Sequence, residues 1–286
     1  MSAPAIPTLL WHDWQAAWSL DAIAILGSLL YLIAARRLRQ RWPRRRTAAF
    51  LAGVACVVVA LQSGVDSFGD RELSVHMVQH LLLLELAPLL LLAGRPGILA
   101  LRSAPRAGRR PLAQAFVRLR PITHPIVGLS VFSAVVIVTH LPFFYDATLS
   151  HPALHQAEHS LYLVAGALMW WPIVDGNPVP GRRLDGLGRL VYVIVAMLPM
   201  TVLGAFLDRA PELVYPAYGP PAHGLGISAI ADQQQAGAIM WVLGSTLMVL
   251  AGLWQAMSAL VAEERRLQIR EASLPGPPLT DPWRER

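Results

Sequence analysis

Long apolar stretches, separated by short charged or proline- and glycine-rich segments, run through the whole 286-residue chain. A helix of about 18 or more apolar residues is long enough to cross the hydrocarbon core of a bilayer. Seven such stretches stand out, at residues 14–35, 47–65, 73–93, 122–141, 155–174, 190–207 and 236–262. The pattern predicts an all-α integral membrane bundle of seven transmembrane helices. Residues 1–13 form an external N-terminal segment, 14–262 the transmembrane domain, and 263–286 a charged, proline-containing cytoplasmic tail with little order beyond its first turns. Residues 1–13 lack the basic start of a secretory signal, no fixed-period repeat is visible, and no soluble segment is large enough for its own core.

Charge adds an orientation. All 24 basic residues are arginine. From the N-terminus, successive links carry none, seven, one, seven, none, three and one, and the tail carries five. The positive-inside rule puts the rich links, residues 36–46 and 94–121, in the cytoplasm. The N-terminus is then outside and the C-terminus inside, which requires an odd number of spans. A net charge of +6 can signal nucleic-acid binding, but arginines confined to short links between apolar stretches point to topology and anionic lipid headgroups instead. Membrane lipid is the expected partner and nucleic acid is not. Cys56, the single cysteine, excludes an intrachain disulfide and any CxxC thiol site. Metal chemistry would therefore fall to histidine, methionine and carboxylates.

Histidine supplies the candidate chemistry. His76 and His80 open the third stretch and His155 and His159 the fifth, each pair at a spacing that puts both rings on one helical face. Pro152 suits a first helical turn, with Ser150 or His151 as the cap. His140 ends the fourth stretch, and the alternating topology puts eight of the nine histidines on the outer side, His124 excepted. Neutral imidazole nitrogens bind copper or zinc well, and two such pairs can supply four of them. The blander alternative is interfacial histidines bonded to neighbouring helices. Glu158, Asp146 and Gln79 could orient the ligand rings. Glu85 and Asp232, inside or at the end of spans, are candidates for a relay or a supporting contact. Met77, Met197, Met200 and Met240 offer thioethers, though in membrane helices methionine serves mostly as packing. Pro88 and Pro199 interrupt apolar stretches and should distort them. His155-Gln-Ala-Glu158-His159 also reads H-x-x-E-H, the inverted zinc-protease signature with Glu as general base. A membrane-embedded zinc hydrolase and a haem-b protein with axial histidines from two helices are thus the competing readings.

Several motifs in combination resemble a known family. His76-Met-Val-Gln-His80, Ala87-Pro88, Gly94-Arg-Pro96, Thr139-His-Leu-Pro142, Tyr145-Asp146, His155-Gln-Ala-Glu158-His159 and Asp232-Gln-Gln are similar to those of the CtaG family of polytopic cytochrome c oxidase assembly factors. The resemblance spans residues 47–260. It implies a non-enzymatic, multi-pass protein of the bacterial inner membrane, needed to mature a caa3-type haem–copper oxidase. It also implies a copper cargo, with zinc the lesser candidate, held by His76, His80, His140, His155 and His159. The expected partners are an oxidase subunit that receives copper and a periplasmic copper donor. An unrelated single-span copper chaperone of the same name uses cysteines, which Cys56 alone cannot reproduce.

Overall fold

The structure, a computed structural model, describes residues 14–38, 41–174, 178, 184–218 and 227–272, without the side chains of Asp146 and Leu149. Every regular element among them is helical. Helix α1 is Trp18–Leu38, α2 Arg44–Gln62 and α3 the short Gly64–Gly69. Helix α4 runs through Leu73–Leu81, a π-helical turn Leu82–Leu86 and Ala87–Ala93. Helices α5 (Pro96–Ser103), α6 (Arg106–Arg118), α7 (Pro125–Thr139), α8 (Pro142–Ser150), α9 (Pro152–Trp170) and α10 (Gly186–Arg209) follow. Helix α11 joins Ala229–Ala238, a second π turn Ile239–Gly244 and Ser245–Ala272.

Five helical runs are long and apolar enough to cross a membrane: α1, α2, α4 continued into α5, α10 and α11. The apolar α7 is shorter. Helix α9 has 19 residues, but His155, Gln156, Glu158 and His159 in its first turns keep its mean hydropathy down. The chain is thus an all-α, multi-spanning, membrane-type bundle.

Helix α4 is its centre. It packs against α2, α9 and the first part of α11, while α10 contacts α7 and α11. Its two N-terminal amides are capped from far along the chain: Asp232 of α11 accepts from Leu73 N at 2.6 Å and from Ser74 N at 3.2 Å. A carboxylate there satisfies orphan N–H groups and opposes the helix dipole. Four residues upstream of Pro88 lies Leu84, whose carbonyl can receive no N–H from the proline, and the backbone widens into the π turn there. That carbonyl comes up against Gly166 of α9, where any Cβ would collide with it. Small residues are how membrane helices bring backbones into contact. The turn from α4 into α5 uses a left-handed residue, Arg95, with φ of 54°.

Several links expected to be irregular are helical: α3 in residues 66–72, α5 and α6 in 94–121, and α8 in 142–154. Arg189 is a correction. Expected in a cytoplasmic link, it lies in the first turn of α10, 4% exposed, donating to Leu184 O and Gln255 O. The last helix continues beyond 262 to Ala272, and residues 273–286 lie outside the described residues.

Candidate metal centre

Two helices bring the histidine pairs face to face. On α4, His76 and His80 lie one turn apart with ring centroids at 4.1 Å; on α9, His155 and His159 do the same at 4.3 Å. Across the contact, His76 stacks on His155 at 5.5 Å with planes 13° apart, and His80 lies 6.4 Å from His159. His140, at the C-terminal end of α7, closes the group 5.8 Å from His80. His76, His80, His140 and His159 are buried, and His155 lies at the rim with its Nδ1 4.0 Å from Asp70. All five histidines singled out in the sequence are therefore in one cluster.

Glu158 joins it more intimately than expected. Ligand atoms of His76, His155 and Glu158 lie within 4.8 Å of one another, which places the carboxylate among the nitrogens rather than behind a ring. Tyr162, one turn along α9, donates to Glu158 Oε1 at 3.2 Å and is itself 2.6 Å from Thr139 Oγ1. Two further rings have their Nδ1 atoms bonded away from the centre. His140 Nδ1 lies 2.8 Å from Val136 O; a carbonyl only accepts, so this nitrogen carries the proton. Tyr218 donates its proton to Gly69 O at 2.9 Å, and its oxygen is left to accept from His76 Nδ1 at 3.4 Å. Burial pushes the Tyr218 phenol well above its ordinary value, so it remains a donor. In both histidines the lone pair is then on Nε2, the arrangement that supporting hydrogen bonds impose on metal ligands.

The Nε2 atoms of His76, His80, His140, His155 and His159, together with Glu158 Oε2 and His80 Nδ1, are buried without a hydrogen-bond partner. Buried polar atoms are nearly always satisfied, and each exception costs about 1–3 kcal/mol. Among these residues, ligand atoms of His76, His155 and Glu158 lie close enough together to be a donor set that one metal ion would satisfy, and the rings of His80, His140 and His159 lie beside it. These residues fit a borderline cation that favours nitrogen with one carboxylate, such as zinc or copper.

The other candidates have different duties. Asp232 caps α4 and so positions the helix that carries His76 and His80, rather than supporting a ring directly. Gln79 donates to Ala60 O at 2.8 Å and to Asp66 Oδ1 at 2.7 Å, which ties α4 to α2 and α3. Glu85 lies deeper, outside the cluster. The Asp146 side chain, His12 and His223 lie outside the described residues. Sequence reasoning missed the tyrosines. Tyr162 could have been found from its i+4 spacing to Glu158, whereas Tyr215, donating to His140 O at 2.8 Å, and Tyr218 reach in from a distant loop.

Fold and site together define a multi-pass membrane protein with a buried histidine–glutamate cluster able to chelate a metal ion. Residues 29–260 match the family described as cytochrome c oxidase caa3 assembly factor, and the chain belongs to that family. Membership, with the five long apolar helical runs, supports a multi-pass bacterial membrane protein. Uncharacterized proteins of Mycobacterium bovis and Mycobacterium tuberculosis are each 28% identical over 94% of the chain and 42% of their own length. One of Mycobacterium leprae is 26% identical over 90% of the chain and 41% of its own. The chain thus spans less than half the length of these curated relatives. No solved structure matches it.

Proposed function

We propose that the protein binds copper at the histidine–glutamate cluster on the outer, periplasmic side of the bacterial inner membrane and delivers it to a subunit of a caa3-type cytochrome c oxidase. The observation that carries the reading is the meeting of ligand atoms of His76, His155 and Glu158 within 4.8 Å, inside a group of buried imidazole nitrogens without hydrogen-bond partners. Helices α7 and α9 add to the five long apolar runs, giving seven crossings with the N-terminus outside and the C-terminus cytoplasmic. This orientation leaves the arginine-rich links inside and the histidine end facing periplasmic metal. Copper is the cargo rather than a resident catalyst; a periplasmic donor supplies it and an oxidase subunit receives it. Zinc satisfies the same donor chemistry. The metal is therefore the finer part of the proposal, supported by the family's association with a haem–copper oxidase.

The arrangement speaks against the two rival chemistries. Glu158 sits within the ligand group and is hydrogen-bonded to Tyr162, whereas a hydrolytic base needs a water beside the metal. The imidazole rings pack edge and face on each other, leaving a place for an ion but not the breadth of a porphyrin.

The test is equilibrium copper binding by the purified protein in detergent, compared with a variant in which all five histidines are alanine. Tight binding that disappears in the variant supports the proposal. Equal binding by both, or none by either, contradicts it.

A further inference from the structure

Near its start, helix α11 carries two buried polar residues in succession, Asp232 and Gln233. Asp232 caps α4. Gln233, 1% exposed, turns instead to the segment that follows α10. Its Oε1 accepts from Val214 N at 2.7 Å, and its Nε2 donates to Glu212 O at 3.1 Å. One side-chain amide thus pairs with the backbone of residues 212–214 as a neighbouring strand would. Turning the amide over would set donor against donor, so its orientation is fixed. Gln234 adds a longer bond, from Nε2 to Ala210 O at 3.5 Å.

The segment held in this way leads straight into the metal centre. After Val214 come Tyr215 and a single 3₁₀ turn, Pro216–Tyr218, closed by Tyr218 N donating to Tyr215 O at 3.2 Å. Tyr215 reaches His140 O, and Tyr218 reaches Gly69 O. With its own proton on Gly69 O, the Tyr218 oxygen accepts from Tyr145 at 3.2 Å and from His76 Nδ1 at 3.4 Å. The contact to His76 is near the outer limit of a hydrogen bond, so a small displacement of the loop breaks it.

We propose that Gln233 is a positioning residue of the metal centre, acting through the backbone of residues 212–214 on the Tyr218 oxygen that accepts from His76 Nδ1. Asp232 and Gln233 then fix one ligand from two sides: the first anchors the helix that bears the ring, the second the phenol behind it. A partner on the far nitrogen of a metal-bound imidazole orients the ring and raises its basicity. The inference rests on the proposed function for the ion that His76 binds. Its own evidence is the unbroken run of contacts from Gln233 through Val214, Tyr215 and Tyr218 to His76. A clamp that only fastened the loop to α11 would change stability and leave His76 as it is.

The experiment is a double-variant cycle on the full chain in detergent, with Gln233→Met and Tyr218→Phe made singly and together. Methionine keeps the length of glutamine but offers no donor and only a weak acceptor. Cupric-ion affinity is read by competition with a chelator. The His76 ring is read from the histidine 15N resonances of the metal-free protein, assigned through His76→Ala. Each single variant is expected to bind cupric ion about 10-fold more weakly. The double variant should bind no more weakly than the worse single one, because both act through one contact. The His76 resonances of Gln233→Met should move to those of Tyr218→Phe. Thermal unfolding reports whether each variant is folded. Gln233→Asn, which keeps an amide but withdraws it by one methylene, replaces Gln233→Met if that variant is not. Additive losses, or wild-type His76 resonances in the folded Gln233 variant, overturn the positioning role. If copper binding still vanishes in the variant lacking all five histidines, the proposed function stands in that case. If the His76 resonances move as expected but wild type binds no cupric ion, the proposed function fails and the positioning role stands.

Discussion

Helices α1 and α4 have the same mean hydropathy, yet 6% of the α1 span is buried against 50% of the run through α4 and α5. Hydropathy reports only that a helix belongs in lipid; polar residues report where in the bundle it sits. In α1, Ile23, Leu26 and Leu30 face outward, since a lipid tail solvates them as well as a neighbouring helix would. In α4, His76, Gln79, His80 and Glu85 are all buried, because inside a membrane the polar groups need protein around them. The rule for soluble proteins is inverted: of these two equally apolar helices, the one that carries several polar residues along its span is the central one.

Glycine substitutions can break this comparison. Gly27→Ala in α1 adds a methyl group with nothing within 4 Å, and should be neutral or stabilising by up to about 1 kcal/mol. Gly166→Ala in α9 drives the same methyl group into the Leu84 carbonyl. Separating α9 from α4 should cost at least about 1–3 kcal/mol and weaken metal binding by pulling the histidine pairs apart. Thermal unfolding of both variants in detergent checks this. Similar shifts for the two would mean that α4 and α1 are equally peripheral.

Finer changes sharpen the picture at the cluster. Tyr162→Phe removes the hydrogen bond to Glu158 and should lower metal affinity by about 10–100-fold without unfolding the protein; competition with a chelator reads the change. Metal binding should also weaken, by at least about tenfold, between pH 7 and pH 4, because imidazole binds metal only when neutral and protons compete for the same lone pairs. A profile flat over that range would point to thioether ligands instead. A smaller effect on metal affinity is expected of Asp232→Ala. It uncaps α4 and should cost about 1 kcal/mol in unfolding free energy, with metal affinity changed less than by Tyr162→Phe.

What was legible in the sequence followed from local periodicity. Apolar stretches marked the long helices, and the i,i+4 spacing of His76/His80 and His155/His159 is enough to put each pair on one face. What was not legible depends on partners far away in the chain. Asp232 reads as an isolated acid near a span, and only the fold shows it capping a helix 159 residues upstream. The π turn at Leu82–Leu86 needs both Pro88, visible in sequence, and Gly166 across the contact, which has no sequence relation to it. Tyr218 lies in a proline-rich loop and reaches the Gly69 carbonyl and His76 only after α3 and α4 are packed. The short helices α3, α5, α6 and α8 carry too little apolar length to stand out as spans, and the links holding them read as loops.

The most direct test of the metal centre is pulsed electron paramagnetic resonance on protein loaded with one cupric ion. Ligation by the facing pairs predicts modulation from at least two imidazole nitrogens on different helices, so that His76→Ala and His155→Ala each remove part of it and the double variant loses the bound ion. Modulation that survives both substitutions unchanged would contradict a metal site between α4 and α9.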